Sequence, residues 1–240
     1  MNRVNQKGFT LIELMLAMTF IAVLLIAIAM TTIQISNIYN KGITLREVNQ
    51  AGRQITDDLQ RSIGASSLFD VMPKKDDAVA TATSHYVVRD GGGRLCIGGY
   101  TYAWNYGSAL AGGTGAPSVF NRYEDNSPVR FVKVRDGGNL CTDAAAKINK
   151  GSASEMLTSS DRDMVVHFFD IKKTSAEPST EQAIYSLSIV IGTNDRDQLN
   201  IISNDASCKA PAEGIGDEQY CSVNRFDIIA RAGNRSGGDQ

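Results

Sequence analysis

The 240 residues include only two histidines, one tryptophan and five prolines, and nowhere do basic residues gather into a cluster. Twenty-four Lys and Arg stand against 26 Asp and Glu. Many cations lie beside acids, as in Arg89-Asp90, Arg135-Asp136 and Asp161-Arg162-Asp163. A protein that grips a phosphate backbone concentrates positive charge on one face, so no specific nucleic acid is expected as a partner. The chain has no Gly-x-Ser-x-Gly elbow to present a nucleophile. Its glycine stretches, Gly91-Gly92-Gly93 and Gly112-Gly113-Thr114-Gly115, lack the Gly-Lys-Ser/Thr ending of a phosphate cradle. Of the two histidines, His85 and His167, the second shares a predicted strand face with Val165 and Phe169, which favours a partly buried side chain over a catalytic base. Neither enzymatic activity nor a cofactor is expected.

Metal chemistry is poorly supplied too. Cys96, Cys141, Cys208 and Cys221 contain no close Cys-x2-4-Cys pair of the kind that builds a zinc site. An even set of four points instead to disulfides, with three connectivities open. The short spacing of Cys208 and Cys221 favours pairing them, which leaves Cys96 with Cys141; free thiols are the alternative. Two oxygen-rich stretches, Asn194-Asp195 with Asp197 and Asp161 with Asp163, follow no EF-hand order, and calcium needs six to eight ligands. Solvated turns explain them more simply, and no metal is assigned.

What the sequence does have is one long apolar run. From Phe9 to Ile33 only Thr10, Glu13, Thr19, Thr31 and Thr32 interrupt it. At about 1.5 Å per residue this is roughly 37 Å of helix, against a hydrocarbon core of about 30 Å. Before it, Met1 to Gly8 carries Arg3 and Lys7 and no acid, which places this end in the cytoplasm and sends the rest outward. That orientation agrees with disulfides in the polar part. A conventional signal peptide would end at a small-residue exit. Ala27-Ile28-Ala29 is a formal match, but cutting there would discard the best-patterned helix in the chain.

Glu13 needs a reason, because a carboxylate near the start of a membrane helix is costly unless neutralised, paired or at an interface. A cut after Gly8 would leave a free amine on Phe9, one turn from Glu13 on the same face. Snorkelling at the interface is the plainer reading. The stretch Lys7-Gly8-Phe9-Thr10-Leu11-Ile12-Glu13-Leu14, followed by the apolar run, resembles the class III signal of type IV pilins and of the pseudopilins of type II secretion. The resemblance implies cleavage after Gly8 by a membrane prepilin peptidase, methylation of the Phe9 amine by the same enzyme, and a role for Glu13 in matching an incoming subunit to the filament base. It implies as partners other major and minor pilins or pseudopilins, the inner-membrane assembly platform and, before assembly, membrane lipid. It covers about 25 residues.

Beyond the run, Val48, Ala51, Ile55, Leu59 and Ile63 recur at helical spacing, with Arg46, Glu47, Asp57, Asp58, Gln60 and Arg61 on other faces. This predicts an amphipathic continuation resting on a head domain. Gly42 and Gly52 weaken it, and two helices joined at Gly42 are the alternative; Gly64 with Ala-Ser-Ser is the expected stop. Arg53, Asp58, Leu59 and Gln60-Arg61 resemble the segment following the anchor in the PilW and GspJ-like branch of minor pilins and pseudopilins.

After Phe69 the pattern turns strand-like at 84–89, 94–104, 118–123, 129–135, 163–171, 183–192 and 225–231, separated by turn residues. Residues 142–158 form a short helix or a loop. Asp-Gly-Gly occurs twice, in VRDGGGRLC (88–96) and VRDGGNLC (134–141), each time as a predicted hairpin turn with a cysteine entering the next strand. Tyr100, Tyr102, Trp104 and Tyr106 fall at period two on one face, either as core or as a contact surface. The loop from Cys208 to Cys221 resembles in position the disulfide-bounded C-terminal region of many pilins.

The expected class is therefore α+β: a leader at 1–8, a membrane or filament-core helix at 9–35, its amphipathic continuation at 36–66, an antiparallel β-rich extracytoplasmic head at 67–232 and a flexible tail at 233–240. A minor pilin that starts or caps a filament is the leading expectation. A type II secretion pseudopilin, a major pilin and a single-pass anchored binding domain are the alternatives. Adhesion, motility and DNA uptake depend on the motor, pore and tip companions of such a filament.

Overall fold

A computed structural model describes residue 8 and residues 10–71, 85–143, 145–157, 162–177, 182–202, 205–210 and 220–233. The architecture is α+β, one long helix followed by an antiparallel β-rich domain. Helix α1 (Leu11–Gly64) runs without a break through Gly42 and Gly52. It is about 80 Å long at the usual rise. It stops where the sequence predicts: the Ala65 and Ser66 amides bond back to the carbonyls of Arg61 and Ile63, each at 3.0 Å, and the Ser66 hydroxyl joins the Ile63 carbonyl at 2.8 Å.

The two halves of α1 differ in what surrounds them. Every described residue before Asn40 is exposed, whereas Val48, Ala51, Ile55, Leu59 and Ile63 are buried. Ile55, Leu59 and Ile63 have no exposed surface, and burial of each such side chain contributes about 1.5–3 kcal/mol. The amphipathic stripe is thus the helix's contact with the head.

The first sheet is an antiparallel meander of β1 (Tyr86–Arg89), β2 (Gly92–Ile97), β3 (Tyr100–Asn105), β4 (Phe131–Arg135) and β5 (Ala153–Glu155) in that order. A short helix α2 (Gly107–Leu110) follows β3. The second sheet is built from β6 (Met164–Glu177), β7 (Gln182–Thr193) and β10 (Val223–Ala232), ordered β10-β7-β6. Strands β8 (Leu199–Ile202) and β9 (Asp205–Cys208) form a separate pair. A parallel bridge between Tyr106 and Val166 links the two larger sheets. One core lies beneath α1, with Leu95, Tyr102, Trp104 and Phe131 from the first sheet and Phe169, Tyr185, Leu187 and Ala230 from the second. A smaller cluster of Ala103, Val129, Val132 and Ile148 covers the opposite face of the first sheet.

Three expectations change. The apolar run at 94–104 is two strands, because Gly98 (φ 59°) and Gly99 (φ 83°) form a tight turn in its middle; left-handed φ at both central positions is what a two-residue hairpin requires. Residues 118–123 are not a strand beyond single bridges at Arg122 and Tyr123. The Phe120 and Asn121 amides donate instead to the Asn105 side-chain oxygen, at 2.9 and 2.8 Å. Of the two Asp-Gly-Gly sequences, the first turns β1 into β2, but the second leads Cys141 into a 3-10 turn (Asn139–Cys141). The Asp136 carboxylate winds that turn by accepting the Gly138 and Leu140 amides at 3.0 and 2.8 Å. Strands β5, β8 and β9 were not expected, and 142–158 is mostly loop where described.

Candidate functional site

The N-terminal segment begins, among described residues, at Gly8, which is exposed, and Thr10, which caps α1. Lys7 and Phe9 lie outside the described residues. Thr10 and Glu13 form a capping box: the Thr10 hydroxyl oxygen accepts the Glu13 amide at 3.3 Å, and Glu13 Oε2 accepts the Thr10 amide at 2.9 Å and its hydroxyl at 2.8 Å. Two amide donors that a helix start leaves open are thereby satisfied. The carboxylate is held at the helix end whose dipole favours negative charge.

The other polar interruptions are neutralised within the helix. Thr19 donates to the Leu16 carbonyl at 2.9 Å, and Thr31 and Thr32 both donate to the Ile28 carbonyl at 2.8 Å. A hydroxyl bonded to its own helix adds little cost in lipid. The most apolar stretch of α1 is nowhere buried by the other described residues. This helix is long and apolar enough to span a membrane.

The aromatic row does not form an outer surface. Tyr102 and Trp104 have no exposed area, and Tyr100 and Tyr106 are half-buried against the same core. The cause is α1, which covers Tyr102, together with the second sheet, which covers Trp104. The Tyr102 hydroxyl donates to Asp58 Oδ2 at 2.6 Å and lies 2.6 Å from the Ser62 hydroxyl, while Lys133 Nζ pairs with the same carboxylate at 2.9 Å and sits 4.3 Å from the Tyr100 ring centroid. Burial, reinforced by Asp58, raises the Tyr102 phenol above its ordinary range, so it remains a donor. Trp104 packs on Phe169 in a tilted arrangement, with centroids 4.2 Å apart and ring planes 31° apart.

Cys96 is bonded to Cys141 and Cys208 to Cys221, with Cα separations of 6.2 and 5.9 Å. Most of the chain between Cys208 and Cys221 lies outside the described residues, as do Asp161 and the tail from residue 234.

In the oxygen-rich stretches, Asp163 and Asp195 are engaged by neighbouring groups. Arg130 holds Asp163 at 2.5 Å; Asp195 accepts the Asp197 amide at 3.1 Å and the Gln198 side-chain amide at 2.8 Å. Among the described residues no three His, Cys, Asp or Glu side chains converge.

His167 occupies a bulge in β6, with Nε2 3.0 Å from the Thr193 carbonyl. Burial lowers its imidazole from the ordinary 6.5, and the Thr193 bond opposes that only in part. The unfolded chain therefore binds this proton first. The stabilising difference is complete above about pH 6.5 and is lost as pH falls toward the folded value. His167→Gln is expected to flatten the decline in thermal midpoint between about pH 7 and pH 5; an unchanged slope would assign that decline to other groups.

Sequence reasoning passed over a buried polar centre. Arg94 is 1% exposed; it donates to Asn121 Oδ1 at 2.6 Å and to the carbonyls of Leu140, Asp143 and Ala146 at 2.5, 2.7 and 2.8 Å. Burial lowers its guanidinium to about 10, with Asp143 and Asp136 acting in the opposite direction. Local pattern gives no hint of it, because alternation with Leu95 and Ile97 puts Arg94 on the opposite face of its strand.

A family model described as the prokaryotic N-terminal methylation motif matches residues 3–33. No curated protein and no solved structure matches the chain. The methylation motif thus coincides with the exposed, apolar half of α1, and the other half of the same helix is part of the head's core.

Proposed function

We propose that this chain is a non-enzymatic structural subunit of a type IV pilus, a minor pilin that helps initiate or cap the filament. It is cut after Gly8 and methylated on the Phe9 amine by a prepilin peptidase. One observation carries the reading: a methylation motif opens a helix whose first half is exposed along its whole length and whose second half is built into a sheet domain. Such a helix has a use for two apolar environments, lipid before assembly and neighbouring helices after it.

The N-terminus faces the cytoplasm because Arg3 and Lys7 precede the apolar run, and both disulfides then lie on the oxidising side. In the uncut chain the Glu13 carboxylate is engaged by Thr10. Cleavage creates a cationic amine one residue before Thr10, and Glu13 becomes its partner, in the same subunit or in the next one of the filament. Other pilins and the inner-membrane assembly platform are the remaining partners.

Mass spectrometry of sheared surface filaments and washed membranes tests this directly. The expected N-terminal peptide begins at methylated Phe9 and is found in filaments as a small fraction of the dominant subunit. Chains that all begin at Met1 and stay in membranes would overturn the reading and leave an anchored domain. Processed chains that are confined to the envelope of a type II secretion machine would assign it to a pseudopilin.

A further inference from the structure

The level at which the head joins α1 bears on how the anchored molecule stands on its membrane. Asn40 is the first helix residue that is partly buried, and its side-chain amide donates to the Tyr220 hydroxyl at 3.4 Å. Tyr220 is 41% exposed and Tyr39 68% exposed. The Arg162 guanidinium lies 5.1 Å from the Tyr220 ring centroid, and Arg162 pairs with Glu47 at 3.2 Å. Higher up, Asn224 bonds Asn49 at 2.5 Å, and the Phe226 ring fills the space where a Gly52 side chain would be. The rim is therefore braced against the helix at several successive turns.

Helix rise and bilayer thickness place this rim. With the Glu13 carboxylate at one edge of the hydrocarbon, about 20 residues cross about 30 Å, which takes Leu14 to Ile33. The next residues, Gln34, Ser36 and Asn37, are the first non-threonine polar side chains after Glu13. Tyr39 and Asn40 then stand about 9–10 Å above the hydrocarbon, and a headgroup layer is about 5–8 Å deep. The remaining gap is too thin for bulk water and is within reach of a tyrosine or lysine side chain. Tyrosine rings favour this layer. The Lys41 ammonium is exposed and has no ion pair among the described residues, free to reach phosphate along its apolar stem.

We infer that, while α1 is in the membrane, the rim formed by Tyr39, Lys41 and Tyr220 seats on the phosphate layer of the adjoining leaflet and holds the head upright. This rests on the membrane-anchored reading above. Leaving the bilayer for a filament breaks these contacts, so the seat exists only in the anchored state. The groups involved recognise headgroup phosphate of any phospholipid, and no anionic lipid is required.

The test uses the full chain in phosphatidylcholine vesicles that carry a headgroup spin label, with tryptophan reporters in two variants. Tyr220→Trp reports the rim. Ile229→Trp reports a point far up the helix, where the Ile229 carbonyl accepts Gln60 at 3.2 Å. The native Trp104 is fully buried and supplies the background. The expected result is strong quenching of Trp emission by the headgroup label and several-fold shielding from aqueous iodide in the first variant, and the reverse in the second. Iodide access without headgroup quenching in Tyr220→Trp would overturn the seat while leaving the anchor intact. Headgroup quenching in both variants would mean that the head lies on its side, which also overturns it. Failure of the wild-type chain to float with vesicles would overturn the anchored reading itself.

Discussion

Arg94→Ala is expected to lower the unfolding free energy by about 4 kcal/mol, measured by denaturant titration of the detergent-solubilised chain with Trp104 emission as the probe. The guanidinium satisfies Asn121 Oδ1 and three backbone carbonyls at once, in a position with 1% exposure. Each buried acceptor left without a partner costs about 1–3 kcal/mol, less where water reaches it. Asn121 is itself fully buried and donates to the Gly93 and Trp104 carbonyls at 3.0 and 2.7 Å, so the loss spreads into the polar centre that stands in for a strand at 118–123. Arg94→Lys should recover little, because one ammonium cannot span acceptors that the planar fork reaches from three nitrogens. A loss below about 1 kcal/mol in the alanine variant would mean that water replaces the guanidinium at these carbonyls.

Removing the Cys96–Cys141 bridge, as the double serine variant, is expected to cost about 4 kcal/mol, and removing Cys208–Cys221 about 3 kcal/mol. The order follows from sequence separations of 45 and 13, since a longer closed loop restricts the unfolded chain more. Denaturant midpoints of the two double variants measure it, and equal losses would count against the loop-entropy account. The first bridge and Arg94 also anchor the same segment. Cys141 directly follows Leu140, whose carbonyl Arg94 holds, and the Asp136 carboxylate accepts both the Leu140 amide and the Thr101 hydroxyl. Combining Arg94→Ala with loss of this bridge should therefore cost less than the sum, as expected for residues that share one structural element.

The glycine triplet at 91–93 shows why composition alone misleads. Its sequence predicts only a hairpin turn, yet a Cβ would come within 1.8 Å of the Ser118 carbonyl oxygen at Gly91, 2.1 Å of the Trp104 carbonyl oxygen at Gly92 and 2.4 Å of the Trp104 ring at Gly93. Close approach of a distant backbone and a core ring sets these residues.

The sequence by itself determined what depends on near neighbours along the chain. The long apolar run, the Thr10–Glu13 cap at a spacing of three, the stripe from Val48 to Ile63 and the stop at Gly64 all follow from interactions within one or two helical turns, and the antiparallel β-rich head follows from short alternating segments between turn residues. Tertiary structure alone decided which face of the aromatic row is core, that Asn105 and Asn121 satisfy the amides and carbonyls another strand would otherwise take, and that a buried arginine organises the Cys141 loop. Those outcomes depend on how buried polar groups find partners far apart in the chain, and a local pattern carries no record of such pairings.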